Sequence, residues 1–388
     1  MKLQTLKFLD KLLSAAIMRL PRNRAKPPSH PPRRILLIKL SAMGDAFCLL
    51  PVARRLAAAF PDAKIDWLTT DRSNPNLFKN LPFLHDTLIV PTHARALLVW
   101  LPKLFYAIRK YDIVMDFDQY YHLSELLSCG GKISAGFITS LKGKTFSLAI
   151  PYDPQLNEKV LFHKLAERAM EHYGVPAAPS RGFYLPELLD NFIPSQSLQH
   201  LAAEIKKHQL PVVVLYAGSS LNASFRRLGI EKYLAIIEQT CNRHIFVIAG
   251  GPEELALKPH FQLQHPNVYN LIGTLNLLEW AWLFRHVADL LLGNDGGLLH
   301  VAESQSTPML AIFGPSLFRK WGSINPESRG IETDLPCRPC LKNYLGIVPT
   351  RCQFSTVKCL DAIEVATIIS NMENMLEKKA RQHILISP

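Results

Sequence analysis

The sequence predicts an α/β protein of two Rossmann-like, doubly wound halves facing a central cleft. Three observations carry that expectation. Strand-like apolar runs alternate with helical stretches twice over, first from Arg34 and again from Pro211. A Pro-rich stretch, GVPAAPSRGFYLPELLDNFIP, parts the two series. The 388 residues are enough for two cores, because single cores stop growing beyond about 250–300 residues.

Residues 1–33 precede the first half and read as a basic amphipathic helix followed by a linker. Leu3, Leu6, Leu9, Leu13, Ile17 and Leu20 recur at helical spacing, with Lys2, Lys7, Lys11 and Arg19 mostly off that stripe. Five prolines from Pro21 to Pro32 then favour an extended chain. Residues 1–34 hold nine Lys/Arg against one acid, Asp10, and so supply +8 of the formal net charge of +12. Residues 1–26 suit the surface of an anionic membrane; packing against the chain's own body is the competing reading. A signal peptide is disfavoured because Asp10 and Lys11 break the apolar run. Nucleic-acid binding is disfavoured because the linker lacks aromatic residues and the remaining chain is nearly neutral.

The first half spans 34–185. RILLIKL reads as a strand, 46–60 as a helix, KIDWLTT as a strand after the turn Pro61-Asp62-Ala63, and 76–80 as helical. HDTLIVP is extended, 93–110 helical, YDIVMDF a strand, 120–129 a helix and KISAGF a strand. The second half spans 186–360. It opens with a helix at 195–208, then PVVVLYAG, a helix at 230–240, HIFVIAGG, a helix at 276–286, ADLLLGND, a helix at 297–304 and PMLAIFG. Residues 361–388 form a last helix and tail. No stretch of 18 apolar residues occurs, so no membrane-spanning helix is expected. Seven cysteines, three of them single within core elements (Cys48, Cys129, Cys241), point to a reducing, cytoplasmic setting.

Ligands of doubly wound sheets bind at the carboxyl ends of the strands, so the turns there are searched for chemistry. In LLLGNDGGLLH the strand runs into Asn294-Asp295-Gly296-Gly297 and a helix. Such a turn offers backbone N–H groups and a positive dipole end to a phosphate. Asp295 is a candidate cap of that helix, and His300 a donor one turn in. In AGGPEELA, Glu253 is a candidate for a ribose diol, with complementing the helix dipole as its alternative. In YAGSSLNASFRR, Ser219, Ser220, Asn222, Arg226 and Arg227 form a polar loop whose arginine suits a pyrophosphate. A nucleoside diphosphate is the ligand these turns suggest. The first half offers instead Asp45, in SAMGD. Beside an acceptor hydroxyl it can serve as general base; as a helix cap it would be structural only.

With these residues in view, ILLIKLSAMGDAFCLLPVARRLAAAFPDAKIDWLT resembles the opening of the bacterial heptosyltransferases, glycosyltransferase family 9. LLLGNDGGLLHVAESQSTPMLAIFGPS and CRPC…RC…KCL resemble later segments of that family. The resemblance covers about 34–375. It implies a GT-B fold with the donor in the second half. It also implies inverting, metal-free transfer of a heptose from an ADP-sugar to a lipopolysaccharide core acceptor. Asp45 matches the family's base; Asp295, Gly296, Gly297 and His300 its diphosphate turn; Glu253 its ribose acid. The implied partners are a nucleotide-sugar and a lipid-linked oligosaccharide, met at the inner face of the cytoplasmic membrane, with no cofactor. Two departures stand out. A Lys-Arg-Trp-Pro pattern is replaced by Arg226-Arg227-Leu228-Gly229, and the Ser or Thr after the turn's Asp by Gly296.

Cys337, Cys340, Cys352 and Cys359 have the spacing C-x2-C-x11-C-x6-C, a candidate structural zinc set or a group of buried thiols. Two other functions remain open on sequence: a GT-B-like nucleotide-sugar epimerase, and an inactive membrane-associated scaffold. An NAD-linked enzyme is disfavoured because no G-x-G-x-x-G follows a strand.

Overall fold

A computed structural model describes residues 10, 27–40, 42–91, 94–119, 121–140, 142–176, 182–219 and 221–386. It divides into two compact units. The first comprises residues 1–182 together with 343–347; the second comprises 183–342 and 348–388. The short stretch 343–347, which the sequence places in the second half, therefore groups with the first. Apart from Asp10, the expected amphipathic helix and the first part of the linker, residues 21–26, lie outside the described residues.

In the first unit, β1 (Arg34–Ile38), β2 (Lys64–Thr70), β3 (Asp86–Val90), β4 (Ile113–Asp116), β5 (Ile133–Ile138) and β6 (Leu148–Pro151) form one sheet. Its order is β3-β2-β1-β4-β5-β6 and every pairing is parallel. The main helices between strands are α1 (Met43–Ala59), α2 (Ala94–Ile108) and α3 (His122–Ser128), and α4 (Glu158–His172) follows the last strand. Parallel strands are covered on both faces and so read as unbroken apolar runs: four of the five β1 residues, and all four of β4, are buried. Leu36, Ile38 and Val114 pack there with Leu104 and Ile108 of α2 and with Leu123 and Leu127 of α3. The strand β6 and the helix α4 were not anticipated from the sequence.

The second unit repeats the plan. After α5 (Gln196–Lys207) come β7 (Val212–Tyr216), α6 (Ile230–Thr240), β8 (Ile245–Ala249), β9 (Val268–Asn270), α7 (Leu277–His286), β10 (Leu290–Asn294), α8 (Gly297–Ser304), β11 (Met309–Ile312) and β12 (Arg329–Ile331). The strand order is β12-β11-β10-β7-β8-β9, again all parallel. The final helix α9 (Val365–Ile386) places Ile368, Met372, Met375 and Leu376 in the core of this same unit. Each sheet reverses its strand order beside its first strand, between β1 and β4 and between β7 and β10. Such switch points open a crevice at the strands' carboxyl ends; Asp45 lies at the first, Ser219, Arg226, Asp295, Gly296, Gly297 and His300 at the second, and Glu253 follows β8.

Candidate active site

At the first switch point, Asp45 occupies the third position of α1 and accepts a hydrogen bond from the Ala42 N–H at 2.7 Å. It thus serves the helix start from inside the first turn. The same carboxylate lies 3.7 Å from the ammonium of Lys39, which follows β1. Lys39 is 3 % exposed and donates to Asp118 at 3.1 Å and to Gln119 at 3.3 Å, both beyond the end of β4. Asp118 also accepts from the Leu40 N–H at 2.9 Å. Gln119 donates to Glu158, the first residue of α4, and Glu158 accepts at 2.6 Å from the Tyr152 hydroxyl. Tyr152 in turn stacks on Tyr344, ring centroids 5.5 Å apart. One buried cation thus lies among three acids, Asp45, Asp118 and Glu158.

The electrostatics follow from that imbalance. Burial raises the Asp45 carboxyl above its ordinary value. Lys39 and the Ala42 N–H pull it back, while Glu158 and Asp118 push the same way as burial. Burial works against the Lys39 charge, but Asp45, Asp118 and Glu158 outweigh it and hold the ammonium protonated. The Asp45 side chain keeps 21 % of its surface in solvent, so it is the acid of this group that a substrate hydroxyl can reach. A carboxylate with raised proton affinity is a better general base. Beside this group, Lys142 is buried and donates to Asp116 at 2.6 Å and to the Ser124 hydroxyl at 2.9 Å. Asp116, wholly buried, is pushed up to about 7 despite that partner.

At the second switch point, Gly296 caps α8 with extended backbone and no side-chain cap. Asp295 does not cap that helix, contrary to the sequence expectation. Its carboxylate instead accepts from Arg226 at 3.2 Å and from the Ser316 hydroxyl at 2.5 Å. Among the described residues no side chain caps α8, and Asp295 instead fixes Arg226. The Arg226 Nε–H is buried and has no acceptor among the described residues. Arg227 is spent on the loop: it donates to the Ser219 hydroxyl at 3.1 Å and carbonyl at 2.8 Å. Ser219 is fully buried and donates to the Ala223 carbonyl at 3.2 Å, so its hydroxyl shapes the loop. His300 is half-buried one turn into α8, and Gly297 is half-buried at its start. Ser220 and the Asn222 side chain lie outside the described residues.

Next to the turn, at the end of β7, stands Tyr216. Its hydroxyl donates to Glu254 at 3.2 Å, and Glu254 accepts from the Gly251 N–H at 2.9 Å. A Cβ added at Gly296 would meet the Tyr216 ring at 2.7 Å, and one at Gly218 would meet Glu254 at 2.5 Å and the ring at 2.6 Å. Gly296 thus makes room for Tyr216, which is a physical reason for the glycine that departs from the expected Ser or Thr. The ribose candidate Glu253 is exposed, while its neighbour Glu254 is buried; burial raises the Glu254 carboxyl, with the Gly251 N–H and Tyr216 hydroxyl opposing. Sequence reasoning missed Tyr216, Glu254's bond to it, and the whole Lys39–Asp118–Glu158 group. The local signal for the last was a lysine inside an otherwise apolar strand run, LLIKL.

Cys337, Cys340, Cys352 and Cys359 are free thiols. Burial raises Cys340, and pushes Cys359 up to about 11. Among the described residues no three His, Cys, Asp or Glu side chains are grouped to hold a metal ion.

The two six-stranded parallel sheets make this an α/β protein of two Rossmann-like units. The model of glycosyltransferase family 9 (heptosyltransferase) matches residues 107–345, more than half of the chain. The chain belongs to that family and is a glycosyltransferase. Lipopolysaccharide heptosyltransferase 1 of Pseudomonas aeruginosa is 22 % identical over 355 residues, covering 82 % of this chain and 88 % of that protein. A family 9 glycosyl transferase structure from Veillonella parvula superposes with a TM-score of 0.68 at 18 % identity, covering 91 % of this chain and all of the other. E. coli heptosyltransferase WaaC with ADP superposes with a TM-score of 0.64 at 15 % identity, covering 88 % of this chain and 99 % of the other. These likenesses show the GT-B fold.

Proposed function

We propose that the protein transfers a heptose, with inversion, from ADP-heptose to a hydroxyl of a lipopolysaccharide core acceptor. Asp45 removes the acceptor proton as the hydroxyl attacks the anomeric carbon. The departing diphosphate is stabilised by the N–H groups at the start of α8, by Arg226 and by His300, donors aimed at charge that grows in the transition state. Asp295 and Ser316 hold Arg226 in place, Glu253 is assigned to the ribose, and Ser219 to the shape of the loop. The chemistry assigned here runs on side chains and backbone. The observation that carries the reading is Asp45 itself: partly exposed, raised in proton affinity, and fixed by Lys39 and the Ala42 N–H. The names of the relatives support the donor and acceptor classes.

With that acceptor class we assign the enzyme to the cytoplasmic face of a membrane, and residues 1–26 to contact with its anionic surface. Asp10 qualifies that assignment. Its carboxylate accepts from the His122 and Leu123 N–H groups at 3.0 and 2.8 Å, tying that one point to α3 of the first unit. The test of the function is mass spectrometry of the lipopolysaccharide core from a deletion strain. A core truncated by one heptose, restored by the wild-type gene but not by Asp45→Asn, is expected. An unaltered core would overturn the reading.

A further inference from the structure

Helix α2 carries a second feature that the reaction does not use. Its inner face, Leu104 and Ile108 with Trp100 and Leu101 beside them, packs on the first sheet. Its outer face is also apolar: Val99 is 64 % exposed, Phe105 40 % and Tyr106 77 %. Between and beyond them stand the exposed cations Lys103, Arg109 and Lys110. No acid occurs anywhere from Thr87 to Tyr111. A surface helix normally turns charged residues of both signs to water. This one offers aliphatic and aromatic groups interleaved with cations alone, the composition of a helix that lies in a headgroup layer. Among the described residues no helix is long and apolar enough to cross a membrane, so contact from one side is the relevant mode.

We infer that the outer face of α2 docks on an anionic phospholipid surface. Val99, Phe105 and Tyr106 enter the interface, and Lys103, Arg109 and Lys110 pair with headgroup phosphates. Charge complementarity selects this occupant: a face of three cations and no acid matches a surface of phosphates. The inference rests on the lipid-borne acceptor proposed above, and is separate from the contact assigned to residues 1–26.

The experiment is co-sedimentation of the full chain with vesicles of phosphatidylglycerol and phosphatidylethanolamine, against vesicles of phosphatidylcholine. Salt-sensitive binding to the anionic vesicles alone is expected. Val99→Glu/Tyr106→Glu should lower the partition at least about tenfold, since it puts charge where apolar contact is needed. Its affinity for ADP should match wild type, which reports an intact fold. If that variant loses ADP binding, Lys103→Glu/Lys110→Glu, which alters only exposed charges, replaces it with the same expected loss. Lys7→Glu/Lys11→Glu separates the two membrane readings. Loss of binding only in the α2 variants supports this inference and sinks the contact of residues 1–26. Loss only in Lys7→Glu/Lys11→Glu does the reverse. Wild-type partition by the α2 variants overturns the inference. So does a lipid-free dimer that Val99→Glu/Tyr106→Glu dissolves, because the face would then belong to a second copy.

Discussion

The two switch points have the same strand plan and opposite furnishings. In the first unit the crevice beside β1 holds one lysine among three acids, and the reachable group is a carboxylate. In the second, the crevice beside β7 holds two glycines, a helix start without a side-chain cap and an arginine whose Nε–H has no acceptor among the described residues. An anionic diphosphate would be repelled by the first set and attracted by the second, since fixed charges in a crevice act at low effective dielectric. A repeated fold therefore need not mean a repeated site. On the function proposed above, the side chains at the strand ends would divide the work into proton removal and anion holding.

The largest effect is expected at Asp45. Asp45→Asn should keep the Ala42 hydrogen bond and the fold but lower kcat by about 10²–10⁴, the usual worth of a general base, as read in a transfer assay. In the wild type the acidic limb of kcat should lie above the usual aspartate value of about 3.9. The sign follows from the role: the base must be ionised, and its raised proton affinity moves the loss of activity to higher pH. A limb at the ordinary aspartate value would contradict the raised proton affinity of Asp45.

Next in size is Lys39→Met. It leaves Asp118 and Glu158 buried without their cation, a change worth about 3–5 kcal/mol when a buried pair loses one partner. The urea midpoint of the first unit should fall accordingly. Arg226→Ala addresses the other crevice. It should weaken ADP binding by about 10–100-fold, the worth of a charge-assisted hydrogen bond to phosphate, and calorimetry reads this directly. Smallest is Gly296→Ser. Its Cβ would press on the Tyr216 ring at 2.7 Å, an overpacking strain of about 1–3 kcal/mol. ADP affinity should fall, and Tyr216→Val in the same chain should restore much of it. A Gly296→Ser enzyme with wild-type affinity would remove Tyr216 from the account.

Much of this was legible in the sequence. RILLI, VVVLY and LLLGN announce buried parallel strands by unbroken apolar runs, and SAMGD and NDGG stand at strand ends where ligands belong. What was not legible depends on strand order. Asp118 and Lys39 are 79 positions apart and meet only because β4 pairs with β1. Tyr216 and Gly296 meet because β10 pairs with β7. Periodicity is local and carries no information on which strands become neighbours. Asp295 shows the same limit from the other side: its place before a helix suggested a cap, and the arginine from the β7 loop claimed it instead. Elements such as β6 and α4 were missed because a four-residue strand and a helix of low mean hydropathy give weak signals.

The division of labour can be tested in one titration series. ADP is titrated calorimetrically into wild type, Asp45→Asn and Arg226→Ala, and the same samples are assayed for transfer. Asp45→Asn is expected to bind ADP as wild type does while transferring almost nothing, and Arg226→Ala to bind ADP at least about tenfold more weakly. Undiminished transfer by Asp45→Asn, or loss of its ADP binding, would contradict the account.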